Sequence, residues 1–230
     1  MFQTVPSEIP SQFKYLSYMP TSARYRLIEF FILFMLLPIS LAIPYNSWAK
    51  VGLVLIGFVY VVVVLLRSEN IRFQIKKDIP WGLFWKRTAL LFLCIIVLTT
   101  TYVYLVDKEA LFFVPRTNLL LFLGIVLVYT LLSVWPQELI YRTFFFERYT
   151  DLFNNKRLMV FMNAIVFSLA HLFFRNTLVL VLTFLGGLLF GITYLKFKST
   201  TLVTIEHALY GNWLFTAGMG QMLAFPGMES

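Results

Sequence analysis

Apolar residues in this chain fall in long blocks separated by short clusters of charge. Seven blocks approach the length needed to cross a bilayer: Leu27–Tyr45, Val51–Leu66, Thr88–Val106, Asn118–Trp135, Leu158–Phe174, Thr177–Phe197 and Thr200–Met219. About 20 mainly apolar residues span the hydrocarbon as a helix, at ~1.5 Å rise per residue. The second block is short, so it has to tilt little or lean on snorkelling flanks. The blocks do not alternate apolar and polar positions as the strands of a membrane barrel do. Open sheet edges cannot face lipid, so helices are the remaining solution. The pattern predicts an all-α fold: a polytopic transmembrane helical bundle of about seven to eight helices.

Composition supports this. Hydrophobic residues make up 60% of the 230 residues and charged residues 13%, against about 45–50% and about 25% in soluble domains. A core of this size cannot hide that excess. The first 25 residues are polar and carry Pro6, Pro10 and Pro20. No short apolar run with a small-residue cleavage site precedes Tyr25, so the first span is expected to remain as an anchor. The lone Cys94 lies within the third block and has no partner for an internal disulfide. Trp48, Trp81, Trp85 and Trp135 fall near predicted span ends, as interfacial aromatics do; Trp213 sits deeper.

The net charge of +8 suggests nucleic acid as a partner, but the distribution of the charge argues against it. With the N-terminus cytoplasmic and the blocks alternating, 14 basic residues lie inside, from Lys14 to Lys198, and four outside: Lys50, Lys108, Arg116 and Arg175. That asymmetry follows the positive-inside rule. The loop Arg67–Arg87 carries most of the bias and fits a surface near anionic lipid. The lipid bilayer is therefore the expected partner, with no nucleic acid. The short loops and absence of organelle signals point to a bacterial inner membrane.

Ionisable residues at membrane depth are costly, which makes each a candidate site residue. They are few. Glu138 and Arg142 lie in Trp135-Pro-Gln-Glu-Leu-Ile-Tyr-Arg142, His171 ends Phe167-Ser-Leu-Ala-His171, and Glu206 and His207 begin a segment ending at Asn212. Both histidines of the chain are inside apolar blocks. Glu138 and Arg142 are four apart and share a helix face. Pro136 suits the first turn of a new helix or a kink. Measured along ideal helices, Glu138 is roughly 15 Å from Arg148, His207 roughly 14 Å from Lys198, and His171 roughly 21 Å from Arg157, so His171 fits this common depth least well.

Each group also has a plain structural reading. Glu138–Arg142 can serve as a buried ion pair between helices, and an intramembrane histidine as a packing residue with a hydrogen bond. Glu206 reads as paired or neutral, and Phe144–Phe146 as packing or lipid-facing. Taken together, a carboxylate and a histidine around a water supply general acid–base hydrolysis, and a second histidine or an amide supplies an oxyanion donor. The same Glu/His/His set also has the donor types of a zinc site. No HExxH spacing occurs, and Ser168 lacks a nucleophile context, so a site with no metal cofactor is preferred, with zinc kept open.

The ordered segments resemble the CPBP family of CAAX proteases and bacteriocin-processing enzymes, also called ABI. Its motifs EExxxR, FxxxH and HxxxN correspond here to Gln137-Glu138-Leu-Ile-Tyr-Arg142, Phe167-Ser-Leu-Ala-His171 and His207-Ala-Leu-Tyr-Gly-Asn212. The resemblance spans about residues 118–220. It implies a catalytic core over 118–220, while polarity and the apolar blocks mark a polar tail over 1–22 and N-terminal transmembrane helices over 23–117. It further implies an intramembrane glutamic endopeptidase acting on a membrane-anchored peptide or protein. Glu138 and His171 would then activate water, His207 and Asn212 would form the oxyanion site, and Arg142 would orient the carboxylate.

Two departures stand out. Gln137 replaces the first glutamate of the motif, which leaves Glu138 as the base and the role of Gln137 open. Asn212 is five residues after His207, not four, which turns it off the His207 face; Gly211 holds the expected position. The departure at Gln137 motivates an alternative: a catalytically silent relative acting in bacteriocin immunity or as a scaffold. A small transporter gated by Glu138–Arg142 is a further alternative, disfavoured by the lack of internal repeats.

Overall fold

In the computed structural model the described residues are 21–67 and 79–220. Most of the predicted polar tail, together with Lys14, Arg72, Lys76 and Lys77, lies outside them. Eight helices form among the described residues. They are α1 (21–41), α2 (Ser47–Arg67), α3 (Trp81–Val106), the short α4 (Phe113–Thr117), α5 (Leu119–Arg148), α6 (Lys156–Leu169), α7 (Thr177–Phe197) and α8 (Thr200–Ala217). The described residues contain no strand. The all-α bundle expected from the apolar blocks is what forms.

Helix starts are marked by polar side chains that satisfy orphan N–H groups. Asn118, Asn155, Asn176 and Ser199 accept from backbone N–H groups at the first turns of α5, α6, α7 and α8. α2, α3, α5, α7 and the segment Lys156–Phe174 are long and apolar enough to cross a membrane. α1 and α8 were also expected as spans and are helical, but do not reach that measure. α1 opens with Arg24, Arg26 and Glu29, and α8 carries Glu206, His207 and Asn212. Outward faces are apolar, with Leu120 83% and Leu105 75% exposed. Continuous exposed apolar surface of this kind suits lipid.

Two boundaries depart from expectation, each for a local reason. α3 begins at Trp81 rather than Thr88, so Lys86 and Arg87 lie in its first two turns and not in a loop. The Arg87 guanidinium turns inward to Glu206 Oε1 at 3.3 Å and donates to the Thr193 hydroxyl, which lets a charged residue extend an apolar helix. Pro136 neither starts a new helix nor breaks α5. A π-helical turn, Tyr129–Val134, precedes it and another, Leu139–Phe144, follows. Proline lacks an N–H and crowds the carbonyl four residues back. Widening the preceding turn relieves that crowding and keeps the helix continuous. The same device occurs in α1, where the π turn Ile32–Leu36 precedes Pro38.

The core is aromatic. Phe144, Phe145 and Phe146 are fully buried, so this run packs inward. Phe145 meets Phe34 edge-on at 5.4 Å and Tyr149 at 5.7 Å between ring centroids, tying α5 to α1. α6 and α7 pack closely because Gly187 and Gly191 face Ala164 and Val160. A Cβ at Gly187 would lie 2.7 Å from the Ala164 Cα, the close small-residue approach common between membrane helices.

Candidate functional site

A cavity of about 1190 Å³ lies between α1, α2, α3, α5, the end of α6, α7 and α8. Its lining is mostly aliphatic and aromatic, and it also includes Tyr129, Ser133, Gln137, His171 and His207. A large apolar pocket with a few convergent polar groups is the usual form of a ligand or active site.

The middle of α5 supplies the first of these groups. Tyr129, Ser133 and Gln137 follow one another at intervals of four and all line the cavity, as residues on one helix face do. Gln137 Nε2 donates to Ser133 Oγ at 2.8 Å, and its buried Oε1 has no hydrogen-bond partner. Glu138, the next residue, does not line the cavity and is fully buried. It faces α8, where His207 Nδ1 donates to its Oε1 at 2.7 Å. Arg142 Nε lies 3.3 Å from Glu138 Oε2, one helical turn along. Arg142 is also fully buried. Its guanidinium carbon sits 4.5 Å from the Phe167 ring centroid and 5.5 Å from that of Phe190, so two aromatic faces take up part of its charge.

His171 follows the last turn of α6. Its Nδ1 donates to the Phe167 carbonyl at 2.7 Å. A carbonyl only accepts, so Nδ1 carries the hydrogen and Nε2 of the neutral ring keeps its lone pair. The Phe167 ring is the common neighbour of the cluster: its centroid is 5.0 Å from the His171 ring and 5.8 Å from the His207 ring. Glu138, Arg142, His171, His207 and Phe167 are thus brought into one neighbourhood, although helix arithmetic gave His171 a poorer depth. The depth given to Glu138, with which His171 disagrees, rests on Arg148 as an interfacial marker. Arg148 is buried against Glu29 instead, with Nε at 3.0 Å from Glu29 Oε1.

Asn212 is not brought to this wall. Its Nδ2 donates to Thr130 Oγ1 at 3.0 Å, and it is not among the cavity-lining residues. Five residues of α-helix turn it away from the His207 face, as its spacing suggests. Glu206 pairs with Arg87 and accepts from the Tyr210 hydroxyl at 3.1 Å. Ser168 donates to the Leu180 carbonyl at 2.8 Å. Among the described residues no group of three or more His, Cys, Asp and Glu side chains is placed to hold a metal ion.

Two residues absent from the sequence reading join the cluster. The Phe190 ring stacks on His207 at 4.4 Å with an interplanar angle of 23°. The Tyr129 hydroxyl lies 3.2 Å from His207 Nε2. Phe190 carries no sequence signal within an apolar block. Tyr129 does carry one, in the four-residue spacing of Tyr129, Ser133 and Gln137 along an apolar helix.

Residues 119–213 match a protein-family model described as Rce1-like, type II CAAX prenyl endopeptidase Rce1-like. The match runs from the start of α5 into α8 and contains every residue of the cluster, in agreement with the CAAX-protease resemblance read from the motifs. No curated protein and no solved structure matches the chain.

Proposed function

We propose that this protein is an intramembrane endopeptidase of the CAAX type, cleaving a membrane-anchored peptide with a histidine-activated water. The observation that carries this reading is His171. Its Nδ1–H is fixed by the Phe167 carbonyl, leaving Nε2 with its lone pair on a residue that lines an apolar cavity. That tautomer suits a general base.

The reaction needs four operations. Water attacks the scissile carbonyl carbon, and the carbonyl π electrons move to oxygen. His171 Nε2 takes the proton lost by the water. The tetrahedral oxyanion is held by donors on the His207 side of the cavity. When the C–N bond breaks, His171 returns the proton to the leaving amine. Glu138 is a positioning residue here, since it holds His207 Nδ1–H at 2.7 Å and does not reach the cavity. Arg142 balances its charge. Gln137 has no proton to exchange, but its unpartnered Oε1 can accept from the attacking water and aim a lone pair at the carbonyl. Asn212 supports α5 through Thr130 rather than touching substrate.

The cavity exceeds the ~300–1,000 Å³ of ordinary ligand pockets, and its apolar lining suits a lipidated peptide. Prenylated C-a-a-X termini are the natural class to test, as the matched family's description names prenyl endopeptidases. Residues 118–220 act as the catalytic core, and α1, α2 and α3 complete the cavity wall. The charge asymmetry of the sequence supports a cytoplasmic N-terminus, and its short loops support a bacterial inner membrane. The test is turnover of an internally quenched farnesylated C-a-a-X peptide by the purified full chain in liposomes. Cleavage that depends on the farnesyl group is expected; no cleavage of either form contradicts the reading.

One observation favours a second reading. Gln137 puts an amide where a carboxylate would face the cavity, which suits a protein that binds such a peptide without cutting it, as in bacteriocin immunity or a scaffold. Saturable binding of the farnesylated peptide with no product would select this alternative.

A further inference from the structure

The cavity wall beside His207 holds a hydroxyl that the motif-based site does not use. We infer that Tyr129 is the oxyanion donor of this site: its phenolic O–H donates to the scissile carbonyl oxygen as negative charge develops there. The inference rests on the endopeptidase reading above and names the group that reading left open.

Three observations carry it. Tyr129 lines the cavity together with His171, His207 and Gln137. Its hydroxyl lies 3.2 Å from His207 Nε2, so it is coupled to the one cavity histidine that is backed by a carboxylate. Its place is also reserved by α8. Gly211 is four residues after His207 and on the same helix face; a Cβ there would lie 2.0 Å from the Tyr129 hydroxyl oxygen and 2.5 Å from Cε1 and Cζ. Any other residue at position 211 would push the phenol out of this position. The space one turn beyond His207, into which a polar side chain from α8 would project, is filled from α5. The ring is held edge-on against Phe215 at 4.8 Å and His207 at 6.1 Å between centroids, which fixes its direction.

The proton count is consistent. Glu138 Oε1 accepts from Nδ1–H of His207, so the pairing with Tyr129 falls to Nε2. With His207 neutral, Nε2 accepts and the phenolic hydrogen points at it. In the imidazolium form, protonated by a hydronium ion before substrate binds and keeping that proton through the turnover, Nε2–H donates to the phenolic oxygen and releases the phenolic hydrogen for substrate. The imidazolium and the Arg142 guanidinium then outweigh the Glu138 carboxylate by one positive charge behind Tyr129. A site arranged in this way favours a developing oxyanion over a neutral carbonyl.

The experiment is steady-state kinetics of the full chain in liposomes with the farnesylated quenched peptide, for wild type, His171→Ala, Tyr129→Phe, Tyr129→Ala and Tyr129→Ala/Gly211→Asn. Loss of one oxyanion donor lowers kcat by about 10²–10³-fold. Tyr129→Phe should show that fall with KM within about threefold, because the ring and its packing remain. The double variant, which puts an amide from α8 into the vacated space, should recover at least about tenfold over Tyr129→Ala. If Tyr129→Phe also lowers the thermal midpoint, the recovery decides: regained turnover upholds the role and none overturns it. Wild-type kcat in Tyr129→Phe alongside an inactive His171→Ala overturns this inference and leaves the endopeptidase reading intact. No cleavage by wild type overturns both.

Discussion

Among the described residues, two carboxylate–arginine pairs have both partners buried, and they are finished differently. Glu29 of α1 meets Arg148 at the end of α5. Its Oε1 accepts from Arg148 Nε at 3.0 Å and the Tyr149 hydroxyl at 2.9 Å; its Oε2 accepts from Arg148 Nη2 at 3.1 Å and the Tyr60 hydroxyl at 2.5 Å. Both oxygens are therefore satisfied twice. Glu138 and Arg142, both fully buried, have Glu138 Oε1 on His207 but no hydrogen bond at Glu138 Oε2 or at Arg142 Nε, Nη1 and Nη2. Unsatisfied buried polar atoms are costly, so few survive in native structures without a reason. The first pair joins helices and shows no shortfall. The second accepts a shortfall beside a cavity, as the proposed endopeptidase site would require.

This contrast breaks if the two pairs respond alike to substitution. The largest effect is expected at the cavity. His171→Ala should lower kcat by about 10³-fold, within the range for loss of a general base, and leave the thermal midpoint nearly unchanged, since its ring makes one hydrogen bond to the backbone. Next, Glu29→Ala should destabilise the fold by about 3–5 kcal/mol, the cost of stranding a buried partner charge. Turnover per folded molecule should stay as in wild type, measured by activity normalised to the folded fraction in a thermal or denaturant melt. Glu29→Ala losing activity without losing stability would erase the distinction.

A smaller change sharpens the comparison from the other side. Gln137→Glu places a carboxylate at the cavity wall, where the α5 face carries Tyr129 and Ser133. A second base lining the same cavity as His171 should raise kcat by about tenfold, at the low side of acid–base contributions; an unchanged kcat would mean that Gln137 does not contact the attacking water. The smallest effect is expected at Asn212. Asn212→Ala removes one hydrogen bond to Thr130 and should cost about 1 kcal/mol of stability with kcat unaltered, read by melting and steady-state assay side by side.

These distinctions explain what was and was not legible in the sequence. The apolar blocks gave the helices and most of the spans, because lipid allows few alternatives. The rarity of ionisable residues at depth singled out Glu138, Arg142, His171 and His207, and they do gather around Phe167. Which of two neighbouring residues faces the cavity was beyond reach. Gln137 and Glu138 sit between two π-helical turns, and each such turn inserts a residue and shifts the helix phase relative to α-helical counting. Facing is then set by tertiary packing around Pro136. Arg87 and Arg148 look like interfacial charges in the sequence because partners distant in the chain, Glu206 and Glu29, cannot be paired with them from spacing. Tyr129 is half legible: its spacing with Ser133 and Gln137 marks a helix face, but its meaning comes from the gap at Gly211, 82 residues later in the chain.

The central claim is that water, activated at the His171 wall, cuts a peptide bond directly. Single-turnover cleavage of the farnesylated peptide in ¹⁸O-labelled water, followed by mass spectrometry of both product and protein, tests it most directly. The account predicts one ¹⁸O atom in the newly formed carboxyl group and an unmodified protein mass throughout. A covalent peptide adduct on the protein, or an uncut peptide after prolonged incubation with the folded full chain, would contradict it.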